Sequence, residues 1–276
     1  MGTDPSLSGR GLRWFEALTG LEGLLDGGPR TVRVADSRLG EEIARFIAVV
    51  ADPANRFPRA RQGELGLEEA WTLARQLRRT VAEDLGARAR AIVAVVDVSS
   101  QAYGRREELL GIHLACAAAA DAYASARLAG HPIVALLVGK AMSGAFLAHG
   151  YQANRILALD SPEVLVHAMS KQAAARVTRR PVEALEQLGE RIVPMAYGVR
   201  AFARLGLLHG LIEGVNAAAP GADDIERVRG KLAAAIEEAR AGARDLSARL
   251  TSPAARETRA ASIAVRRRLT EQWDAP

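Results

Sequence analysis

Two periodicities divide this chain. Residues 31–36, Thr31-Val32-Arg33-Val34-Ala35-Asp36, alternate apolar with polar side chains and predict a strand. The apolar runs IARFIAVVA at 43–51, AIVAVVDV at 91–98 and PIVALLV at 132–138 are bounded by turn-forming residues and predict buried strands. RILALD at 155–160 and EVLVHA at 163–168 predict two shorter ones. Between them the period changes to 3.6. Residues 67–85 place Leu67, Ala70, Trp71, Ala74, Leu77, Val81 and Leu85 on one helical stripe. An alanine-rich helix is predicted over 105–128, stopped by Gly130 and Pro132. Residues 205–215 predict a turn and a short strand, and 221–250 and 253–269 predict closing helices.

Strands alternating with helices predict an α/β fold, with a mostly parallel sheet and helices packed outside it. The expected organisation is an N-terminal arm at 1–30, a core at 31–215 and a helical extension of the same domain at 216–276. The arm is glycine-rich and carries one amphipathic piece, Trp14-Phe15-Glu16-Ala17-Leu18, expected to pack on something rather than to join the core. Ligands in such folds sit beyond the carboxyl ends of strands. Three loops meet that description: 52–66, 99–104 and 139–144.

The stretch 139–150, GKAMSGAFLAHG, concentrates the interest. The strand is expected to stop at Gly139, and Phe146 and Leu147 resume an apolar face at helical spacing. A buried strand turning into a helix presents backbone N–H groups at the helix start, and these suit an anion or oxyanion. The same small residues also fit a tight packing joint. Both readings stay open on these residues alone.

Composition narrows the chemistry. The 276 residues are 49% hydrophobic and only 4% aromatic, so the core is aliphatic. The net charge is +5, from 37 basic and 32 acidic residues, with much of the excess in 249–268. Nucleic-acid binding calls for basic residues interleaved with aromatics, which are scarce here. An acidic partner or a phosphate-bearing arm is the more natural use of the charge. The single cysteine, Cys116, excludes an intrachain disulfide and fits a reducing compartment, and its neighbours read as a buried helix face. The apolar runs fall short of the roughly 20 residues of a membrane span, and the N-terminus has no signal-like apolar region, so a cytoplasmic protein is expected.

The histidines, His113, His131, His149, His167 and His209, lack metal-ligand spacing, and neither a P-loop nor a dinucleotide glycine motif is present. Ser143 lies where strand becomes helix, the geometry that exposes an activated hydroxyl, with His167 further along the chain at a strand end. Ser143 equally suits a helix cap.

At 139–150 the sequence resembles the crotonase superfamily, with its ββα superhelix and C-terminal helices, whose members hold a thioester carbonyl between two backbone N–H groups. The resemblance puts one donor at Gly144, with Ala145 beside it, and the other in the Gly63-Glu64-Leu65-Gly66 region. Leu147 stands where hydratases of the superfamily carry a glutamate. The Clp-type serine peptidases resemble Gly144-Ala145-Phe146-Leu147 and Glu163-Val164-Leu165-Val166-His167. Their nucleophile matches Ser143 only after a one-residue shift, and Met142 without it.

The carboxyltransferase branch is similar over a longer span, about 91–175. Within it the chain resembles the gamma-subunit family of biotin-independent malonate decarboxylases. That likeness rests on Arg13-Trp14-Phe15-Glu16-Ala17-Leu18-Thr19-Gly20, Asp97-Val98-Ser99-Ser100-Gln101-Ala102-Tyr103-Gly104-Arg105-Arg106-Glu107-Glu108 and Gly139-Lys140-Ala141-Met142-Ser143-Gly144-Ala145. The resemblance implies decarboxylation of malonyl-S-acyl carrier protein to acetyl-S-acyl carrier protein. The carrier arm is a dephospho-CoA derivative, and this chain itself holds no metal, biotin or other cofactor. It implies partners as well: a beta subunit that completes the site, the carrier protein and an acyltransferase subunit. Gly144, Ala145, Ser143 and His167 would then be catalytic, with Gln101, Tyr103, Gly104, Met142, Gly63 and Gly66 lining the cleft. Lys140 either attracts the malonyl carboxylate or is a solvated turn residue. The alternatives are a serine hydrolase using Ser143 and His167, or a scaffold whose partner supplies the chemistry.

Overall fold

A computed structural model describes residues 9–21, 24, 25 and 28–273. The rest of the predicted N-terminal arm lies outside the described residues. Strands β1 (Val32–Leu39) and β2 (Glu42–Val49) form an antiparallel hairpin across Gly40, whose φ of +61° suits the tight turn. Strands β3 (Ala91–Val98), β4 (Ile133–Met142), β5 (Arg155–Leu159) and β7 (Gly210–Ile212) continue the sheet in parallel, in the order β1-β2-β3-β4-β5-β7. The two-residue β6 (Val166–His167) pairs with the far end of β4. The central strands are apolar over most of their length because both faces are covered, as the long apolar runs in the sequence require. This is the crotonase-like α/β fold expected.

Several boundaries differ from the sequence reading, each for a local reason. β4 does not stop at Gly139 but runs on to Met142. The β3–β4 register slips between Val96 and Val98, and the bulged segment of β4 folds around the Asp97 carboxylate, which accepts the Lys140 N–H at 2.9 Å. A Cβ at Gly139 would overlap that carboxylate, so glycine serves close approach here and not strand termination.

The piece expected as a peripheral arm is helix α1 (Arg10–Thr19), and it belongs to the core. Trp14, Phe15 and Leu18 are buried against the sheet, and the Trp14 indole donates to the Ala217 carbonyl at 2.9 Å. Helix α2 (Leu67–Glu83) buries Ala70, Leu73, Ala74 and Leu77. Trp71 lies one position off that stripe and is half exposed, while Leu85 falls beyond the helix. The long alanine-rich helix is two, α3 (Arg105–Leu109) and α4 (Ile112–Leu128), separated at Gly111 with φ +80°.

Helix α5 (Ser143–Ala148) follows β4 without a loop. Of the strand expected at 163–168 only β6 forms, because Leu165 bridges to Gly198 instead. Helices α6 (Lys171–Thr178), α7 (Val182–Arg191) and α8 (Val199–Arg204) precede β7. The predicted closing helices are shorter and more broken than expected. α9 (Ala222–Ala241) buries Val228, Leu232 and Ile236 against the core, followed by α10 (Ala248–Thr251), α11 (Pro253–Thr258) and α12 (Ala260–Trp273). Among the described residues no helix is long and apolar enough to cross a membrane.

Candidate active site

The β4–α5 junction turns in a single residue. Met142 is extended, Ser143 takes the left-handed conformation with φ +59°, and the helix begins. A serine held there is strained, by of order 1 kcal/mol or more. N–H groups of a first helical turn have no intrahelical acceptor. That of Gly144 donates to the Gln101 carboxamide oxygen at 2.9 Å. Gln101 is fixed by the loop beyond β3, where Leu65 N–H donates to Ser100 O at 3.0 Å and Ala102 N–H to Leu65 O at 2.8 Å. Ala145 is buried directly behind.

From behind, α5 is anchored by a fully buried histidine. His149 accepts at Nδ1 from the Tyr123 hydroxyl at 2.9 Å and donates from Nε2 to the Val95 carbonyl at 3.1 Å. Burial pulls its pKa down to about 4, so the ring is neutral in the folded protein. Burial also pushes the Tyr123 hydroxyl far above its usual range.

Two cavities meet at Gly144 and Leu147. One, of about 450 Å³, is mostly apolar and is lined by Ser143, Phe146, Tyr151, His167, Met195 and Phe202 among others. The other, of about 350 Å³, carries Gln101, Glu108, His113 and Cys116. The Cys116 thiol is raised to about 11 by burial, which leaves it a protonated wall residue and no nucleophile.

β6 brings His167 opposite Met142, one residue from Ser143. The His167 ring stacks on Tyr197 with centroids 3.9 Å apart, and its Nδ1 is engaged by Met169 at 3.0 Å from the carbonyl. Burial lowers its pKa, so it is neutral near pH 7. Among the described residues no hydrogen bond joins Ser143 to His167, and no carboxylate is paired with that ring. The serine, base and orienting acid of a hydrolase are therefore not assembled.

The remaining sequence candidates fall elsewhere. Lys140 and Gly63 share a separate cavity of about 70 Å³ with Asp97 and Ser99. Tyr103 lies under the Arg59 guanidinium, 4.7 Å from its ring centre, and Arg59 pairs with Glu64 at 3.0 Å next to Gly104. The turn 63–66 was expected to offer a donor, but its N–H groups are already committed. Gly63 donates to Ala60 O, Glu64 to Arg59 O, Leu65 to Ser100 O, and Gly66 to the Glu69 carboxylate at 3.0 Å. The last of these is half of a capping box that starts α2.

Sequence reasoning missed Asp97 as a positioning group, although a carboxylate ending an apolar strand is itself a signal. It holds α1 through the Gly11 N–H at 3.1 Å and β4 through Lys140. Tyr151, Met195 and Phe202 carried no signal, since it is the fold that brings them to the cavity, and Tyr197 stands behind the His167 ring. No cluster of metal-ligating side chains occurs among the described residues.

Against known proteins, the family model MdcE, malonate decarboxylase gamma subunit, matches residues 60–273. The chain belongs to that family. This gamma-subunit-family chain is 54% identical to a chain of a Pseudomonas malonate decarboxylase hetero-tetramer solved in complex with coenzyme A, covering 96% of this chain and 99% of that one with a TM-score of 0.90. It is 52% identical to a chain of the Pseudomonas MdcD–MdcE hetero-dimer, covering 96% and 100% with a TM-score of 0.88. A Malonomonas rubra protein described as malonyl-S-ACP:biotin-protein carboxyltransferase MADD is 38% identical over 194 residues, 68% of this chain. The gamma-subunit-family chain spans 66% of that curated relative, just under two thirds of its length.

Proposed function

We propose that this chain is the gamma subunit of a heteromeric carboxy-lyase that converts malonyl-S-acyl carrier protein to acetyl-S-acyl carrier protein. In this reading the bond between the malonyl carboxylate and the α-carbon breaks and CO2 leaves. The electron pair collects as an enolate on the thioester oxygen, and a proton returns to the α-carbon. No oxidant or electron sink outside the substrate is needed. The catalytic demand is stabilisation of one developing oxyanion, which fixed backbone donors meet.

The observation that carries the proposal is the single-residue turn from β4 into α5, which opens the helix start at the meeting point of two cavities. Gly144 N–H is the donor this chain offers, with Ala145 buried behind it. Gln101 Oε1 occupies the Gly144 donor, and the thioester oxygen takes its place in an exchange of one hydrogen bond for another. The mostly apolar wall excludes water and strengthens that bond. With 63–66 committed internally, the rest of the site comes from a beta subunit of the MdcD type, as the relatives' hetero-dimer supports. The thioester belongs to a dephospho-CoA-derived arm on the carrier protein, consistent with the relative that binds coenzyme A. This chain supplies no cofactor of its own, and an acyltransferase subunit loads the carrier in the cytoplasm.

The test is product analysis. The chain, purified with an MdcD-type partner, is given malonyl-S-acyl carrier protein. CO2 and an acetyl thioester, formed only when both subunits are present, are expected. Malonate with free carrier thiol, or full CO2 release by the partner alone, would overturn the proposal.

A further inference from the structure

The arginine-rich end of the chain has a use that the reaction does not by itself require. Arg249, on α10, is buried against the turn that leaves α5, where it meets no carboxylate among the described residues. Its Nη1 donates to the Tyr151 carbonyl at 2.7 Å and its Nη2 to the Ala153 carbonyl. Arg127, buried on α4, donates from Nε to the carbonyl between them, that of Gln152, at 3.0 Å. Three consecutive carbonyls are thus gripped by two guanidiniums. The Arg249 guanidinium also lies over the Tyr151 ring, 4.9 Å from its centre.

Tyr151 is where this grip reaches the cavity. Its ring lines the 450 Å³ space beside Ser143 and His167 and meets Phe146 of α5 edge-on. Its N–H donates to the Phe146 carbonyl at 3.1 Å. Whatever fixes residues 151–153 therefore fixes both a wall of the cavity and the trailing end of the six-residue helix whose other end carries the donors. Burying a guanidinium is unfavourable unless its hydrogen bonds are met, and an apolar residue would fill such a space at less cost. Burial pulls Arg249 down to about 10, as expected of a cation that finds carbonyls and a ring face but no counter-ion.

We infer that Arg249 is a positioning residue: through the carbonyls of 151 and 153 and the Tyr151 ring, the C-terminal helical segment sets the placement of α5 and of the cavity wall. This rests on the decarboxylase reading only for its kinetic consequence.

The test uses the complex with the MdcD-type partner and the variants Arg249→Ala and Arg249→Lys. Amide hydrogen exchange is compared between residues 143–153 and the core strand 91–98. In Arg249→Ala, exchange in 143–153 is expected to quicken about tenfold or more while 91–98 keeps the parent rate. Decarboxylation should fall in kcat by roughly 10²-fold, with KM changed little, because misplaced donors weaken the transition state rather than binding. Added methylguanidine should restore part of both. Arg249→Lys, which keeps one donor, should lie between parent and Arg249→Ala. If Arg249→Ala does not fold, Arg249→Lys is judged by the same contrast between the two segments. Parent-like exchange in 143–153, or equal quickening in both segments, would overturn the inference. A parent complex that releases no CO2 would instead count against the decarboxylase reading, and the exchange contrast would still decide the role of Arg249.

Discussion

The turn at 63–66 and the turn at 143–146 both lead into a helix, and both carry glycines of the kind that let a backbone approach a ligand. At 63–66 the N–H groups are spent on Ala60, Arg59, Ser100 and Glu69. At 143–146 the Gly144 donor is covered only by the end of a flexible side chain, Gln101. The difference comes from what stands three residues into each helix. Glu69 reaches back to cap α2, whereas the matching place in α5 is Ala145, which has no polar group to cap with. A helix start serves as a binding site only where the sequence withholds a cap, and rigidity must then come from behind. For α5 it comes from Tyr123, His149, Arg127 and Arg249.

Substituting the two glycines in parallel gives the sharpest break between the turns. A Cβ at Gly144 would stand 3.1 Å from Gln101 Oε1, a side chain free to yield, and Gly144 needs no positive φ. Gly144→Val should therefore fold while crowding the donor. CO2 release by the complex is expected to drop about 10²–10³-fold, the cost of losing one oxyanion donor. The unfolding free energy should change by less than about 0.5 kcal/mol. Parent-like CO2 release would remove this turn from the reaction.

The anchoring of α5 predicts a distinct dependence on pH. His149 is neutral and folded at about 4 against an ordinary value of 6.5, so between those values the unfolded chain binds the extra proton. Its contribution is complete above pH 6.5 and is lost as the pH falls toward 4, by roughly 3 kcal/mol in all. Urea unfolding of the parent and of His149→Gln, from pH 7 down to 4, should converge by about that amount. Parallel curves would mean the buried ring does not titrate with unfolding.

The committed turn should fail in stability. A Cβ at Gly66 would press on Glu69 Oε2 at 2.5 Å, displacing a carboxylate that also bonds Thr31. Gly66→Val should cost about 2–3 kcal/mol in urea denaturation, from a lost cap and an unsatisfied buried group. A change below about 0.5 kcal/mol would mean that the Glu69 cap is dispensable.

How legible this was in the sequence follows from how local each cause is. The four central strands and α2 were readable because burial on both faces writes continuous apolar runs, and one-sided packing writes a stripe. β4 overran its expected end because Gly139 answers to Asp97, on a neighbouring strand, and not to its own neighbours. Trp14 was misplaced for the same reason: a short amphipathic piece gives no clue that Ala217 and the sheet wait to bury it. The turn at Gly144 was legible as a strand-to-helix joint with small residues. That all four donors of 63–66 were already used was not, since the Leu65 N–H is taken by a pairing with the loop beyond β3.

The smallest expected effect bears on the residue that looks most reactive. Ser143 stands at the mouth of the cavity, next to the residue paired with His167, and its φ of +59° exposes it as a nucleophile would be exposed. Yet His167 is stacked on Tyr197 and bonded to Met169, so nothing takes the serine proton. The left-handed conformation is sufficiently explained by the need to turn β4 into α5 in one residue. Alanine tolerates that conformation about as well as serine does, so Ser143→Ala should fold, and CO2 release should stay within about twofold of the parent, far from the roughly 10³-fold or greater loss expected on removing a nucleophile. A serine-directed phosphonate should leave the parent unlabelled. If the phosphonate labels Ser143 and the alanine variant loses thioester cleavage, the open turn is an oxyanion site for acyl transfer to serine, and the contrast between the two turns survives with a different reaction at one of them.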